Sequence, residues 1–430
     1  MTEQALIHDG VAALIPRLQS RALSAAAVAE ACLARIDARE AAVGAWQFLD
    51  RAAVRRAAAE LDHGPVRGVL HGIPVGIKDI IDVAGWPTGC GSSVYADRIA
   101  QRDAACVARL RAAGALIIGK TVTTEFSYFR PGKTANPHNL AHTPGGSSSG
   151  SAAAVADRMV PAALGAQTAG SLTRPAAYCG VIGFKATRDT IPLEGIEPLA
   201  HSLDSLGWLV RDVEDAEVLR AVLTGETYRP LALLPQAPRL AICETNEWSH
   251  ADDDARRVLQ HAADRLRAGG AQVTTLTLPD EFSGLIECHV RIMACEAARA
   301  LGAVVDAHGD AISTQLRALV ESGRAVSDAD YASAQHRTVV AMRKLESIFE
   351  TCDAIVAPSA PGEAPAGLSA TGDPVFSRVW TLLQGPSIAL PVRRGSRGLP
   401  LGIQLIGRRN GDRALAEVAK WAASQFNEAV

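Results

Sequence analysis

Early in the chain, apolar positions recur at four-residue spacing. Val28, Cys32 and Ile36 share one face of a segment that Ser24 is placed to cap, which predicts a helix over about 25–40. An alanine- and arginine-rich stretch predicts a second helix over 52–61, and residues 1–62 read as an outer helical layer. From Leu70 the texture changes. Val75-Gly76-Ile77 is a short apolar run, 103–113 carries a helical pattern that stops at Gly114, and Leu116-Ile117-Ile118 reads as a buried strand. Strand, helix and strand in that order predict an α/β sheet with helices on its faces.

Residues 132–175 are rich in Gly, Ser, Pro and Ala, yet Val155, Met159, Val160 and Leu164 interleave with them. A flexible linker would not carry such apolar positions, so this stretch is expected to be packed. The pattern is mostly helical over 231–350, with one strand at 239–243. Strand-like runs return at Ala354-Ile355-Val356 and over 401–406, and a helix over 412–422 closes the chain. With no internal repeat and no linker, one domain over 1–430 is expected. It divides into the outer layer (1–62), a core carrying the chemistry (63–230), a variable helical region (231–350) and a return to the sheet (351–430).

Composition narrows the function classes. The 430 residues are 48% hydrophobic and 21% charged, which excludes disorder as the main state. A net charge of −3 without blocks of like charge argues against nucleic acid or an anionic membrane as partner. No apolar run approaches the ~18 residues of a membrane span, and Met1-Thr2-Glu3-Gln4 lacks the features of a signal peptide. The eight cysteines form no CxxC pair and the eleven histidines no HExxH. Buried, reduced thiols in a cytoplasmic protein are expected, without a metal site.

Three segments could carry chemistry. Only six of the 43 basic residues are lysine, and one of them, Lys78, ends the apolar run Val75-Gly76-Ile77. A lysine desolvated there could act as a base; standing alone it equally reads as a surface lysine paired with a carboxylate. Asp79 opposes an uncharged Lys78 unless strand alternation turns it away. The run Pro144-Gly145-Gly146-Ser147-Ser148-Ser149-Gly150-Ser151 could cradle an anion or cap a helix starting near Ala152, but lacks the order of a nucleotide-binding loop. Gln167-Thr168-Ala169-Gly170-Ser171 places small residues before a serine, which lets several N–H groups converge as an oxyanion hole requires. It equally fits a glycine-containing strand end. The GxSxG elbow of Ser-His-Asp hydrolases is absent.

Together, Lys78, the Gly-Gly-Ser-Ser loop, the Gly-Ser turn and Cys179-Gly180-Val181-Ile182-Gly183-Phe184-Lys185 resemble the amidase signature family over nearly the whole chain. Thr371-Gly372-Asp373-Pro374, Trp380-Thr381-Leu382-Leu383 and Gly398-Leu399-Pro400-Leu401-Gly402-Ile403-Gln404 extend the likeness. The run over 167–180 is similar to that of bacterial malonamidase-like amidases.

The resemblance implies a single α/β domain with a large mixed sheet covered by helices on both faces. It implies a Ser–cis-Ser–Lys triad, with Ser171 as nucleophile, Ser147 as bridge after a cis peptide, and Lys78 as base. Backbone N–H groups of Thr168, Ala169, Gly170 and Ser171 would form the oxyanion hole. No metal or organic cofactor is implied, and family analogy leans towards a homodimer. The sequence departs from most of the family at Gln167, where an acid is usual, and at Thr173-Arg174, where the arginine falls one position late. In malonamidase-like sequences the matching arginine holds a substrate carboxylate; the alternative for Arg174 is bracing the loop through a salt bridge. Phe129 and Arg130 fall in a segment that would border the same pocket. Ser149 and Ala186 replace a usual glycine and proline, and Ser148 could add a hydrogen bond on the lysine side. The expected function is hydrolysis of a small, carboxylate-bearing amide through an acyl-enzyme, with ester cleavage as a side activity. The alternatives are an ammonia-supplying component of a glutamine-dependent amidotransferase and a non-catalytic ligand-binding relative.

Overall fold

The computed structural model describes residues 6–426; the Met1–Gln4 segment, expected to carry no signal peptide, lies outside them. The elements in chain order are α1 (Val11–Gln19), α2 (Ala25–Val43), β1 (Trp46–Phe48), α3 (Arg51–His63), β2 (Pro74–Lys78), α4 (Ala105–Ala112) and β3 (Leu116–Thr121). Next come α5 (Ser149–Ala156), β4 (Ala162–Gln167), α6 (Thr173–Cys179), β5 (Ile182–Lys185), β6 (Ser205–Val210) and α7 (Val213–Thr224). Then follow β7 (Arg239–Ile242), α8 (Asp253–Ala268), β8 (Gln272–Thr275), α9 (Leu285–His308), α10 (Thr314–Arg324) and α11 (Asp328–Ile348). The chain closes with β9 (Ala354–Pro358), α12 (Val375–Leu382), β10 (Ser387–Arg394), β11 (Pro400–Ile406) and α13 (Asp412–Ala423).

Local signals act where the sequence places them. Ser24 Oγ accepts from Ala27 N to cap α2, Asp50 does the same for α3, and α2 stops at Gly44 with φ +65°. All eleven strands join one mixed sheet in the order β1-β3-β2-β4-β6-β5-β10-β11-β9-β7-β8. Both ends of the sheet contain parallel pairs, β2 with β3 and β4, and β7 with β8 and β9. The centre is antiparallel. One face packs α2, α3, α5 and α6 around Trp46, Ala152 to Val155 and Leu172. The opposite face packs α4, α7 to α10, α12 and α13 over Ile77, Leu164 and Trp208.

Two expectations are corrected. The outer helical layer also contains β1, the edge strand paired with β3, and the mostly helical 231–350 region contains the edge strand β8 as well as β7. Both are three- or four-residue strands, too short for alternation to register in the sequence. The helix expected near Ala152 begins earlier, at Ser149. All eight cysteines are unpaired and buried. Among the described residues no helix is long and apolar enough to cross a membrane, and no cluster of His, Cys, Asp or Glu could hold a metal ion.

The serine-rich loop is packed, not loose. A Cβ on Gly150 would come within 2.2 Å of the Ala45 carbonyl oxygen and 2.4 Å of Val122 N, both backbone atoms. Gly150→Ala is therefore expected to cost about 1–3 kcal/mol, read as a lower melting temperature; an unchanged melt would show that this backbone yields.

Candidate active site

Lys78 ends β2, Ser171 lies in the turn behind β4, and Ser147 stands just before α5. Along β2, Val75 and Ile77 join the core of one face, while Gly76 faces Trp46 and Ala163 on the other. Alternation therefore projects Lys78 to the side where α5 and α6 pack. Asp79, one residue on, pairs with Lys120 at 2.9 Å, both buried. The carboxylate that would have worked against an uncharged Lys78 is thus engaged by another amine. Lys78 is fully buried, with Nζ 2.6 Å from Ser147 Oγ and 3.4 Å from the Ala166 carbonyl oxygen. Burial pulls its pKa down to about 7, against a weaker upward pull from Asp204.

The Gly146–Ser147 peptide is cis, the one such bond among the described residues. Ser147 and Ser171 line one cavity of about 20 Å³ with Thr168, Ala169, Arg174, Phe129 and Met293. No hydrogen bond joins the two hydroxyls, a looseness common in sites without substrate. Ser148 N donates to the Ser171 carbonyl at 3.3 Å. Ser148 Oγ donates to the Ala166 carbonyl, so it meets the lysine side only through that shared acceptor.

The turn over 168–171 is braced from below by Gln167. Its Oε1 accepts from Leu172 N at 2.8 Å and Thr173 N at 3.0 Å, while its Nε2 donates to Thr381 Oγ1 at 2.9 Å. A carboxylate there could accept the first two bonds but would compete with the Ala169 carbonyl for the Thr381 hydroxyl proton, which gives the glutamine a physical reason. The N–H groups of Ala169, Gly170 and Ser171 donate to no backbone carbonyl in the described turns and loops.

Arg174 is fully buried in α6 and has no carboxylate partner among the described residues, so the salt-bridge brace expected as one alternative is not formed there. It braces through carbonyls instead. Nε donates to the Thr371 carbonyl at 2.8 Å and Nη2 to the Gly146 carbonyl at 2.6 Å. Nη1 is buried without a partner, and the residue lines the same cavity as Ser147 and Ser171. Burial draws its pKa down to about 10, which leaves it charged at neutral pH. Phe129 borders the cavity as expected. Arg130 does not: it is exposed and pairs with Glu125 at 3.3 Å.

The sequence reading assigns no role to three residues that shape this turn. Asp204 accepts from Thr168 Oγ1 and from Leu199 N and Ala200 N, with burial raising its pKa to about 6. Thr381 Oγ1 donates to the Ala169 carbonyl at 2.7 Å. His289 meets the Thr168 carbonyl at 2.8 Å. All reach the 168–171 turn from elements distant in sequence; Thr381 falls in the Trp380-Thr381-Leu382-Leu383 run, whereas no local motif marks Asp204 or His289. A second cavity of about 400 Å³ lies beyond Thr168 and Leu199, lined also by Ile80, Ala166 and Asp204.

This arrangement holds a buried amine against a serine hydroxyl, beside a second serine in a turn of free N–H groups, which is the equipment of an acyl-transfer enzyme. A family model described as Amidase matches residues 27–416, and the chain belongs to the amidase family. A component of the glutamyl-tRNA(Gln) amidotransferase from Anaeromyxobacter sp. (strain K) is 33% identical over 93% of this chain and 93% of its own length. A solved structure described as an amidase superposes with a TM-score of 0.90 at 30% identity, over 97% of this chain and 100% of its own. The native peptide amidase from Stenotrophomonas maltophilia superposes with a TM-score of 0.82 at 25% identity, over 98% and 97% of the two chains. The protein is an amidase-family enzyme built on a single α/β domain.

Proposed function

We propose that the protein hydrolyses a small, linear, carboxylate-bearing amide through an acyl-enzyme on Ser171. The observation that carries this reading is the buried Lys78 amine, with a pKa near 7, held 2.6 Å from Ser147 Oγ in the wall of the cavity that Ser171 shares.

Ser171 Oγ forms a bond to the amide carbonyl carbon and gives its proton to Ser147 Oγ, whose own proton passes to the neutral Lys78 Nζ. Negative charge develops on the carbonyl oxygen, facing the N–H groups of the 168–171 turn. Removing one such donor typically costs about 3 kcal/mol of barrier. As the C–N bond breaks, Lys78 returns its proton through Ser147 to the departing nitrogen, which leaves as ammonia or an amine. Water then attacks the acyl carbon, giving its proton along the same path, and Ser171 is released with the free acid.

The unpartnered Nη1 of Arg174 supports an anionic acyl group, because a guanidinium pairs readily with a carboxylate that also needs a donor. The expected experiment compares ammonia release from malonamate and from the neutral propionamide. Arg174→Ala is expected to lower kcat/KM on malonamate roughly 10- to 100-fold, the worth of a charge-assisted hydrogen bond, and to lower it much less on propionamide. Equal losses on both would leave Arg174 as a loop brace only.

A second reading has one observation behind it: the amidotransferase component that matches over nearly full length. On that reading the same serine and lysine release ammonia from glutamine for a partner enzyme. Recovery of a stoichiometric partner, with ammonia release from glutamine, would favour it over the free-standing hydrolase.

A further inference from the structure

His289, on α9, is fully buried and takes no part in the proton path described above. Its Nε2 lies 2.8 Å from the Thr168 carbonyl oxygen, and its Nδ1 lies 3.2 Å from Arg378 Nη1. These partners fix the tautomer. A carbonyl only accepts and a guanidinium only donates, so Nε2 carries the proton and Nδ1 receives one. Burial and the nearby Arg378 charge hold the ring neutral, with a pKa drawn down to about 3.

The consequence lies on the other side of the peptide plane. The Thr168 carbonyl shares its plane with the Ala169 N–H, and in a trans peptide the two point in opposite directions. A bond that anchors the carbonyl to α9 therefore turns the Ala169 N–H away from α9. Ala169 lines the cavity of Ser147, Ser171 and Arg174. The next plane is held in the same manner. Thr381 Oγ1, on α12, donates to the Ala169 carbonyl at 2.7 Å, which orients the Gly170 N–H. Two consecutive planes are clamped by side chains of two helices that join the site from far along the chain.

We propose that His289 is a positioning residue for acyl transfer: backed by Arg378, it fixes the Ala169 N–H, as Thr381 fixes the Gly170 N–H, on the oxyanion that develops when Ser171 attacks. Such donors are effective only when oriented before the charge appears, since reorientation during the reaction would consume the energy they return. The hydrogen-bonded chain from the Arg378 cation through the neutral imidazole also polarises the 168–169 peptide and strengthens its N–H as a donor. Among the described residues, only His289 is placed to hold the Thr168 carbonyl by a side chain. The inference rests on the reading of Ser171 as nucleophile.

The test is the rate at which a fluorophosphonate modifies Ser171, followed by mass spectrometry. In that reaction Ser171 Oγ bonds to phosphorus, fluoride leaves, the serine proton passes to the Ser147–Lys78 pair, and charge builds on the phosphoryl oxygen that the turn must hold. His289→Phe removes the donor while filling the space; His289→Gln keeps an N–H close to the Nε2 position. The Phe variant is expected to react roughly 10- to 100-fold more slowly than the unaltered protein, and the Gln variant to recover most of that loss. In ammonia release from malonamate, the loss should fall on kcat with KM little changed. Reaction of the Phe variant at the unaltered rate, or a Gln variant as slow as Phe, overturns the proposal. Should the Phe variant fail to fold, His289→Met, which also lacks the donor but adapts its shape to the space, carries the same expectation, and an unaltered rate there overturns it equally. If the unaltered protein does not react at Ser171, the nucleophile assignment falls first, and that outcome is distinct from a failure of His289 alone.

Discussion

Ser171→Ala is expected to lower amide hydrolysis by at least about 10⁴-fold, on the scale seen when a catalytic serine is removed from a hydrolase, and to abolish fluorophosphonate labelling. The neighbouring hydroxyls cannot take over. Ser147 is engaged by Lys78, and Ser148 Oγ is turned to the Ala166 carbonyl. The residual rate should come from the N–H groups of the turn, which the alanine leaves in place. Because Ser171 Oγ makes no hydrogen bond among the described residues, the variant should melt close to the unaltered protein. A Ser171→Ala protein that still released ammonia from malonamate at a comparable rate would remove the covalent mechanism.

The second large effect concerns Lys78 and has two parts of opposite sign. With its pKa near 7, kcat/KM should rise with pH through about 7 and level off above it, as the neutral amine becomes the dominant form. Lys78→Met should lower the rate by about 10³-fold or more and flatten that limb. The same substitution should act in the opposite direction on stability. Between about 7 and 10.5 the unfolded chain keeps a proton on this amine while the folded chain does not, so folding is favoured increasingly as pH rises across that window. Below it the full cost of burying the amine applies. At neutral pH that cost is roughly 4 kcal/mol, which Lys78→Met would relieve, less the lost hydrogen bond to Ser147. A higher melting temperature with lost activity is therefore the expected pair of results at pH 7. A variant that melts lower, together with a rate profile lacking the limb near 7, would mean that the amine is charged in the folded protein.

Such a trade is intelligible from where the elements lie. Ser24 and Asp50 cap their helices from the adjacent residues, and the runs at 116–121 and 400–406 become strands because their apolar content demands a buried sheet. Those signals are local and legible. The strands β4 and β6 are not. Ala162–Gln167 is built from small residues without alternation, and it becomes a central strand because β2 and β6 pair with it. Its small side chains also leave room: a Cβ on Gly165 would come within 2.7 Å of Ser148 Oγ. Asp204 and His289 carry no motif, and the run around Thr381 assigns it no role, since the importance of each lies in one carbonyl or hydroxyl it touches across the fold.

The amino-acid sequence by itself determined four helices, one with its Ser24 cap, the apolar strands near 75, 116, 239, 354 and 401, the family, and which three side chains to consider for the chemistry. Only the tertiary structure decided that Asp79 turns to Lys120, that the Lys78 amine is dry and faces Ser147, and that Arg174 keeps one N–H unclaimed. The division follows from range. Capping and periodicity act over a few residues of chain, whereas desolvation, the pKa it sets and the aim of a peptide plane depend on neighbours that only packing brings together.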